Sequence, residues 1–309
     1  MSNILIIQTR PGIGDLCIFL SAMHEIAKKN SGSNIFLLTK KRTQAESILS
    51  DDKYIKSILF TDRGEKNSKH SGIMGFFKLK NELKKYNFCK IYIMHASPRY
   101  FLLGKFLGAK EIFSYGLIKK NENISNKIFQ STKEWLSIDS YNTNAEINIK
   151  TKNKDNVNNI IVGIGSSGVT RRWSKEKIIS LIKKLNEKKK YNFLLAAGMS
   201  EKLLADDIVD ILKDKVVIES LCEKNIYDIL LKINNSKIYV GTDSAFMHLS
   251  AGLKVKSFGL FGDTPTNYAE YSSYIYPILP EGYKSISHNS NAMDKISVDH
   301  VINNLRNFV

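Results

Sequence analysis

The hydrophobic pattern of this chain changes period at short, regular intervals. Residues 3–9 open with the apolar run Ile4-Leu5-Ile6-Ile7. A run so short, without polar alternation, predicts a strand buried on both faces. Residues 16–29 then place Leu16, Phe19, Leu20, Met23 and Ala27 on one side of a helix. The alternation continues, with strands predicted at 34–39, 58–60, 90–94 and 111–115 and helices at 42–49, 74–85 and 99–107. Strands separated by helices imply a parallel sheet joined by right-handed crossovers.

Residues 150–159 interrupt this rhythm with a polar stretch that holds almost no large apolar side chain, and they read as a linker. The rhythm then resumes. Strands are predicted at 160–164, 192–196, 216–218, 237–240 and 257–261. Helices are predicted at 174–185, 201–212, 226–233, 246–251 and 297–308, with Ser174 capping the first of them. The expected architecture is α/β with two Rossmann-like domains, 1–150 and 151–309, the last helix being free to pack back on the first domain. Open parallel sheets bind ligands beyond the carboxyl ends of their strands. A central cleft between two facing sheets is therefore the expected site.

Composition sharpens this picture. Of 309 residues, 43% are apolar and 25% charged, enough for each half to bury its own core. Lys+Arg is 46 against 30 for Asp+Glu, a net charge of +16, which favours anionic partners such as phosphorylated sugars or an acidic membrane surface. A Lys-, Asn- and Ile-rich genome accounts for such an excess equally well. The cations are dispersed, as in Lys183-Lys184 and Lys188-Lys189-Lys190, with no Arg-rich arm, so nucleic acid is not an expected partner. Three cysteines, Cys17, Cys89 and Cys222, without a CxxC pair argue against a disulfide framework or a zinc site and for buried thiols in a reducing compartment. The first apolar run is too short for a signal peptide or a spanning helix. The expected location is the cytoplasm, with the cytoplasmic face of the inner membrane as a place of peripheral contact.

Four turns carry candidate chemistry. Pro11-Gly12-Ile13-Gly14-Asp15 follows the first strand, and Asp15 there reads either as a helix cap or as a carboxylate on the ligand side. The dinucleotide fingerprint GxGxxG would need glycine at 17, where Cys17 stands. Gly165-Ser166-Ser167-Gly168 leads into Arg171-Arg172-Trp173-Ser174. It reads either as a phosphate cradle with an Arg pair to neutralise a diphosphate or as a solvated loop anchored by Trp173. Gly241-Thr242-Asp243-Ser244-Ala245 enters a helix with His248 one turn on, where N–H groups make an anion site. Phe261-Gly262-Asp263-Thr264 is a fourth strand-to-loop switch, either a plain turn or a wall of the same pocket.

Taken in order, these segments resemble glycosyltransferase family 9, the heptosyltransferase family. Gly12 to Asp15 is similar to that family's Gly-x-Gly-Asp turn. Gly165, Ser167 and Arg171-Arg172-Trp173-Ser174 are similar to its Gly-x-Ser and Lys-Arg-Trp-Pro motif. Ala197-Gly198-Met199-Ser200-Glu201 stands for Gly-Gly-x-x-Glu. Asp243-Ser244-Ala245-Phe246-Met247-His248-Leu249-Ser250-Ala251 with Phe261-Gly262-Asp263-Thr264 stands for Asp-Thr-Gly-x-x-His-Leu-Ala-Ala and Phe-Gly-Pro-Thr. The chain departs from the family at Arg171 for Lys, Ser244-Ala245 for Thr-Gly, and Asp263 for Pro.

The resemblance implies a GT-B fold and an inverting, metal-independent transfer from a nucleotide-diphosphate sugar, ADP-heptose by family default, to a lipopolysaccharide core or other anionic surface glycan. It implies no cofactor and no metal. Asp15, Arg171 and His248 would be catalytic, with Asp15 as base. Gly14, Ser166, Ser167, Arg171, Met199, Glu201, Asp243, Ser244, Ala245 and His248 would hold the donor. Lys41, Arg42, Arg63 and Arg99, near the ends of first-domain strands, are the acceptor contacts. Three other readings compete. A nucleotide-sugar 2-epimerase would need no acceptor, a non-catalytic glycan-assembly protein would turn over nothing, and an oxidoreductase would bind NAD(H).

Overall fold

The computed structural model describes residues 1–116, 123–150, 158–166 and 168–309. The chain divides into two units, Met1–Asn148 and Ile149–Val309. The split falls two residues before the expected boundary. Most of the expected linker, 151–157, lies outside the described residues, and Asn159 already belongs to a strand.

The first unit runs β1 (Asn3–Ile7), α1 (Ile13–Lys29), β2 (Asn34–Thr39), α2 (Ala45–Ile48), β3 (Ile55–Phe60), α3 (Gly72–Lys84), β4 (Phe88–Ile93), α4 (Pro98–Phe106), β5 (Glu111–Ser114) and α5 (Ile124–Leu136). Its sheet has the order β3-β2-β1-β4-β5, and every pairing is parallel. The central strand is the most apolar run: Leu5, Ile6 and Ile7 have no exposed surface. Each contributes roughly 1.5–3 kcal/mol by its burial. One core joins Leu5, Ile7, Ile91 and Ile93 to Phe76, Leu79 and Leu83 of α3 and Leu103 of α4.

The second unit runs β6 (Asn159–Gly163), α6 (Lys175–Lys188), β7 (Asn192–Ala196), α7 (Lys202–Leu212), β8 (Val217–Ser220), α8 (Ile226–Asn234), β9 (Ser236–Thr242), α9 (Ala245–Gly252), β10 (Lys256–Leu260), β11 (Ile275–Ile278) and α10 (Val298–Leu305). Its parallel sheet has the order β11-β10-β9-β6-β7-β8. Ser174 caps α6 as expected, accepting from the Lys177 N–H at 3.4 Å. The last helix, α10, packs on α6, and Val301, Ile302 and Leu305 sit in the second unit's core.

Two elements lie outside the predicted set. Helix α5 is one, although Asn123 caps it and Ile124, Ile128 and Leu136 repeat on one buried face; it lies against α1, and Trp135 stacks on Tyr115 with centroids 4.5 Å apart. Strand β11 contains Pro277, a residue that reads as a breaker but is tolerated at a sheet edge, where no neighbour needs its missing N–H. The helix expected at 42–49 is broken. A 3-10 turn at Lys41–Thr43 meets Gln44, whose φ of 55° is left-handed, before α2 begins. None of the described helices is long and apolar enough to cross a membrane.

Candidate functional site

In each unit the predicted residues gather at the carboxyl edge of a parallel sheet. In the first unit, β1 passes through a short turn into α1, which starts at Ile13 with Gly12 as its N-cap. Asp15 is thus in the third helical position rather than at the cap. Its Oδ2 accepts from the Gly12 N–H at 3.2 Å, and its Oδ1 lies 3.6 Å from Arg10 Nη1. Gly12 is required by this close approach: a Cβ there would stand 2.8 Å from Asp15 Oδ2. The carboxylate therefore serves the helix start and still keeps a partly exposed face, at 25%. Directly behind it, burial, and after it the charge of Asp15, pushes the Cys17 thiol up to about 12, so this cysteine is an inert core group. All three cysteines are free, Cys17 and Cys222 buried and Cys89 half-buried.

The neighbouring strand ends bring further groups to the same edge. Lys41 and Arg42, on the turn after β2, are exposed and make no ion pair among the described residues. Arg63 follows β3 and lies over the Tyr100 ring, 5.9 Å from its centroid. Its loop is closed by Asp62, whose carboxylate gathers the Ser68 hydroxyl and the N–H groups of Lys69 and His70. Arg99 differs from the other acceptor candidates. It donates to the His70 carbonyl at 2.8 Å and lies over Phe76, so part of its guanidinium is used to hold α4 to that loop.

Two residues at this edge had no local sequence signal. Arg10 partners Asp15. His95, beyond β4, has Nε2 3.4 Å from Thr9 Oγ1 and a buried Nδ1 with no partner among the described residues. Burial, then the charges of Arg10 and Arg63, lowers its pKa to about 4. The ring is neutral at ordinary pH, and the two arginines are close enough to act on it.

In the second unit, the loops after β6, β7 and β9 are tied to one another. The Thr242 hydroxyl donates to the Gly165 carbonyl. The Tyr239 hydroxyl donates to the Thr242 carbonyl at 2.7 Å and lies 3.2 Å from Ser244 Oγ. Gly163 makes room for it, since a Cβ there would overlap the Tyr239 ring. Ser166 donates to the Gly168 carbonyl at 2.5 Å. Ser167, an expected donor contact, lies outside the described residues.

The Arg pair is split by the fold. Arg172 donates to Glu201 Oε1 at 2.6 Å, and Glu201 is almost fully buried. Arg172 is therefore committed to the pair with Glu201, and Arg171 lies near enough to Asp263 to stabilise its charge. Glu201 Oε2 faces Gly165 and Gly198 and accepts no hydrogen bond among the described residues. Met199 stands exposed beside it on the 3-10 turn that precedes α7. Trp173 is buried and donates its indole N–H to the Ile296 carbonyl at 3.0 Å, which anchors the loop as the solvated-loop reading anticipated.

At β9, Asp243, Ser244 and Ala245 are half-exposed and lead into α9. Ala245 sits in ordinary helical backbone and is absent from the positive-φ positions, so alanine there costs no strain. The N–H groups at Ser244 and Ala245 precede the first bond of α9, from the Met247 N–H to the Ser244 carbonyl, have no intrahelical acceptor and, with Arg171, suit an anion. His248 is buried. Its Nδ1 is 2.9 Å from the Tyr271 hydroxyl, its Nε2 is 3.7 Å from Asp243 Oδ1, and its ring stacks on Tyr271. The ring is held by Tyr271 and lies beside Asp243, beyond hydrogen-bond distance from it. Tyr271, on an irregular segment with no motif, could not have been found from sequence. Asp263 is buried and accepts from Thr170 at 2.7 Å and from the Asn291 N–H at 2.9 Å. Burial works to raise its pKa, but these hydrogen bonds and the charges of Arg171 and His288 outweigh it and hold the group low. The described residues contain no cluster of His, Cys, Asp and Glu that could hold a metal ion.

Comparison with known proteins identifies the family and the fold. Residues 125–295 match the family described as glycosyltransferase family 9 (heptosyltransferase). Over 112 residues, 35% of the chain, it is 31% identical to lipooligosaccharide heptosyltransferase 2 of Campylobacter jejuni, and the match spans 34% of that relative's length. Two solved structures superpose on nearly the whole chain at 16% identity. A family 9 glycosyltransferase from Veillonella parvula has a TM-score of 0.81, with 99% of this chain and 97% of that one covered. E. coli ADP-heptose LPS heptosyltransferase II has a TM-score of 0.75, with 100% and 98% covered. At that identity the likeness is one of fold.

Proposed function

Because the chain belongs to glycosyltransferase family 9, the heptosyltransferases, we propose that it transfers a sugar from a nucleotide-diphosphate donor to a hydroxyl of an anionic surface glycan, with inversion and without a metal. ADP-heptose is the proposed donor, since the E. coli structural relative is named for it, and a lipopolysaccharide or lipooligosaccharide core is the proposed acceptor. The observation that carries the reading is the tied set of second-unit loops. Thr242 to Gly165, Arg172 to Glu201 and Thr170 to Asp263 hold Arg171, Glu201 and the start of α9 at one sheet edge.

In this reading the second unit holds the donor. Arg171, Ser166 and the N–H groups at Ser244 and Ala245 take the diphosphate, and Ser167 joins them by its place in the motif. Glu201 Oε2 accepts from the ribose hydroxyls and Met199 packs on the base. Asp243, with His248 beside it, takes hydroxyls of the donor sugar. The first unit supplies the acceptor and the base. Asp15 removes the acceptor hydroxyl's proton as that oxygen bonds to the anomeric carbon. The bond from the anomeric carbon to the phosphate oxygen breaks on the opposite face, and its electron pair leaves with the nucleoside diphosphate. Lys41, Arg42 and Arg63 draw the anionic acceptor to this edge. Such a protein would work at the cytoplasmic face of the membrane that carries its acceptor.

The test is calorimetric titration with a panel of nucleoside diphosphates, with and without chelator, followed by turnover of ADP-heptose with a core glycolipid. Chelator-insensitive binding of ADP, and a product of inverted anomeric configuration, are expected. Binding of no nucleotide would sink the donor site. Release of free epimerised sugar without acceptor would replace transfer by epimerisation.

A further inference from the structure

The first unit carries an apolar surface that its own fold leaves uncovered. Twelve large apolar side chains are exposed among the described residues, and six of them stand on two neighbouring helices: Ile73, Met74 and Phe77 on α3, and Phe101, Leu102 and Phe106 on α4. The helices touch through aromatic rings. Phe77 and Phe106 are 6.1 Å apart edge-on, and both lie against the buried Phe76. Ile73 and Phe77 are four residues apart, as are Leu102 and Phe106, so each pair shares a helical face. The four form a continuous strip. Ile73 is 77% and Met74 84% exposed, and Met74 and Phe77 also line a groove of about 830 Å³ against Leu59 and Phe60 of the edge strand β3. Clustered exposure of this kind marks an interaction surface.

Charge selects the occupant. Helix α3 bears Lys78, Lys80 and Lys84, α4 bears Arg99 and Lys105, and Lys85 and Lys110 follow the two helices. The one acid on either helix, Glu82, is held by Lys69 at 3.5 Å and His70 at 3.1 Å. Cations stand beside the aromatics, as Lys105 does over the Phe101 ring at 5.7 Å. An apolar strip flanked by lysines matches the boundary layer of an anionic bilayer, where acyl chains and phosphates lie side by side. We propose that the α3–α4 face docks this protein on an anionic membrane surface, with Ile73, Met74, Phe77, Leu102 and Phe106 entering the interface and the lysines at the headgroups. The inference stands whether or not the transfer reaction is assigned correctly.

Co-sedimentation of the full chain with vesicles tests it. Binding is expected to vesicles of phosphatidylethanolamine and phosphatidylglycerol, falling steeply with salt, and not to vesicles of phosphatidylcholine alone. The paired substitutions Ile73→Ser with Met74→Ser, and Lys78→Glu with Lys105→Glu, lie on exposed positions. Each is expected to weaken binding on the order of ten-fold, with circular dichroism unchanged. Ile73→Trp should add a blue-shifted emission only when the anionic vesicles are present. Vesicle binding that neither pair alters would overturn the proposal. So would absence of vesicle binding with a dimer that the apolar pair converts to monomer, because the face would then be a self-association surface.

Discussion

Thr170 donates its hydroxyl hydrogen to Oδ2 of Asp263 at 2.7 Å, joining the loop after β6 to the loop after β10 across 93 positions of sequence. The aspartate stands where the family usually has proline, and it holds in place the loop that presents Arg171. Asp263→Ala is expected to cost about 1–3 kcal/mol through loss of the charge-assisted bonds. Thermal unfolding measures that loss. Thr170→Val removes only one of these bonds, leaves the Asn291 contact intact and should cost less.

The Arg172–Glu201 pair makes a different prediction from its neighbour Arg171. Arg172→Met leaves a buried carboxylate without its cation and should destabilise the second unit on the order of 3 kcal/mol. Adding Glu201→Gln should recover part of this, the signature of coupled residues. Arg171→Met should weaken diphosphate binding, which calorimetry with a nucleoside diphosphate measures. Unchanged stability in Arg172→Met would contradict the pairing with Glu201.

Asp15→Asn retains an oxygen to accept from the Gly12 N–H, so the helix start should survive. Transfer should fall by roughly 10²–10⁴ if the carboxylate is the base, with nucleotide affinity unchanged by calorimetry. A variant with near-normal turnover would reduce Asp15 to its structural role in α1.

Acid stability should depend on the buried His24–Asp52 contact, where Nε2 and Oδ2 are 2.8 Å apart. Burial acts to raise the Asp52 pKa. The His24 hydrogen bond and charge, with the Ile55 and Tyr54 N–H groups, more than offset it and the pKa is lowered. A carboxylate depressed in the folded state contributes stability that is full above its unfolded value, about 3.9, and is lost as pH falls through the folded value. Asp52→Asn should therefore lower stability at neutral pH and flatten its decline below about pH 4. Urea melts across that range give the comparison.

His95 should titrate near 4 in the folded protein, which histidine NMR reads directly. Its lowered value means that the unfolded chain binds the proton first, so this group reduces stability as pH falls from about 6.5. Because burial is the largest cause, Arg63→Met should raise the midpoint only in part. A midpoint near the ordinary histidine value would show that the ring is not enclosed at the end of β4.

The alternation of apolar runs and helical spacing was enough to place most strands and helices, because a strand buried on both faces and a helix buried on one differ in period. Segments such as Ile4 to Ile7 have no other stable use. The same local chemistry marked the glycine turns, among them the one where a Cβ at Gly12 would strike Asp15, and so located the two sheet edges where Asp15, Glu201 and Asp243 lie. Helix α5 is absent from the predicted elements even though its Asn123 cap and the spacing of Ile124, Ile128 and Leu136 are local signals, whereas its packing on α1 and the stacking of Trp135 on Tyr115 are not. Local pattern could not say which arginine of the pair meets Glu201, that Tyr271 would hold His248, or that Asp263 would tie down Thr170. Those partners are 23 to 93 residues apart. Helical spacing likewise treats Phe76 and Phe77 alike, yet the packing of α3 on the sheet buries the first and leaves the second outside. Period along a chain follows from each residue's own chemistry, whereas the choice of partner belongs to the three-dimensional packing that brings distant segments together.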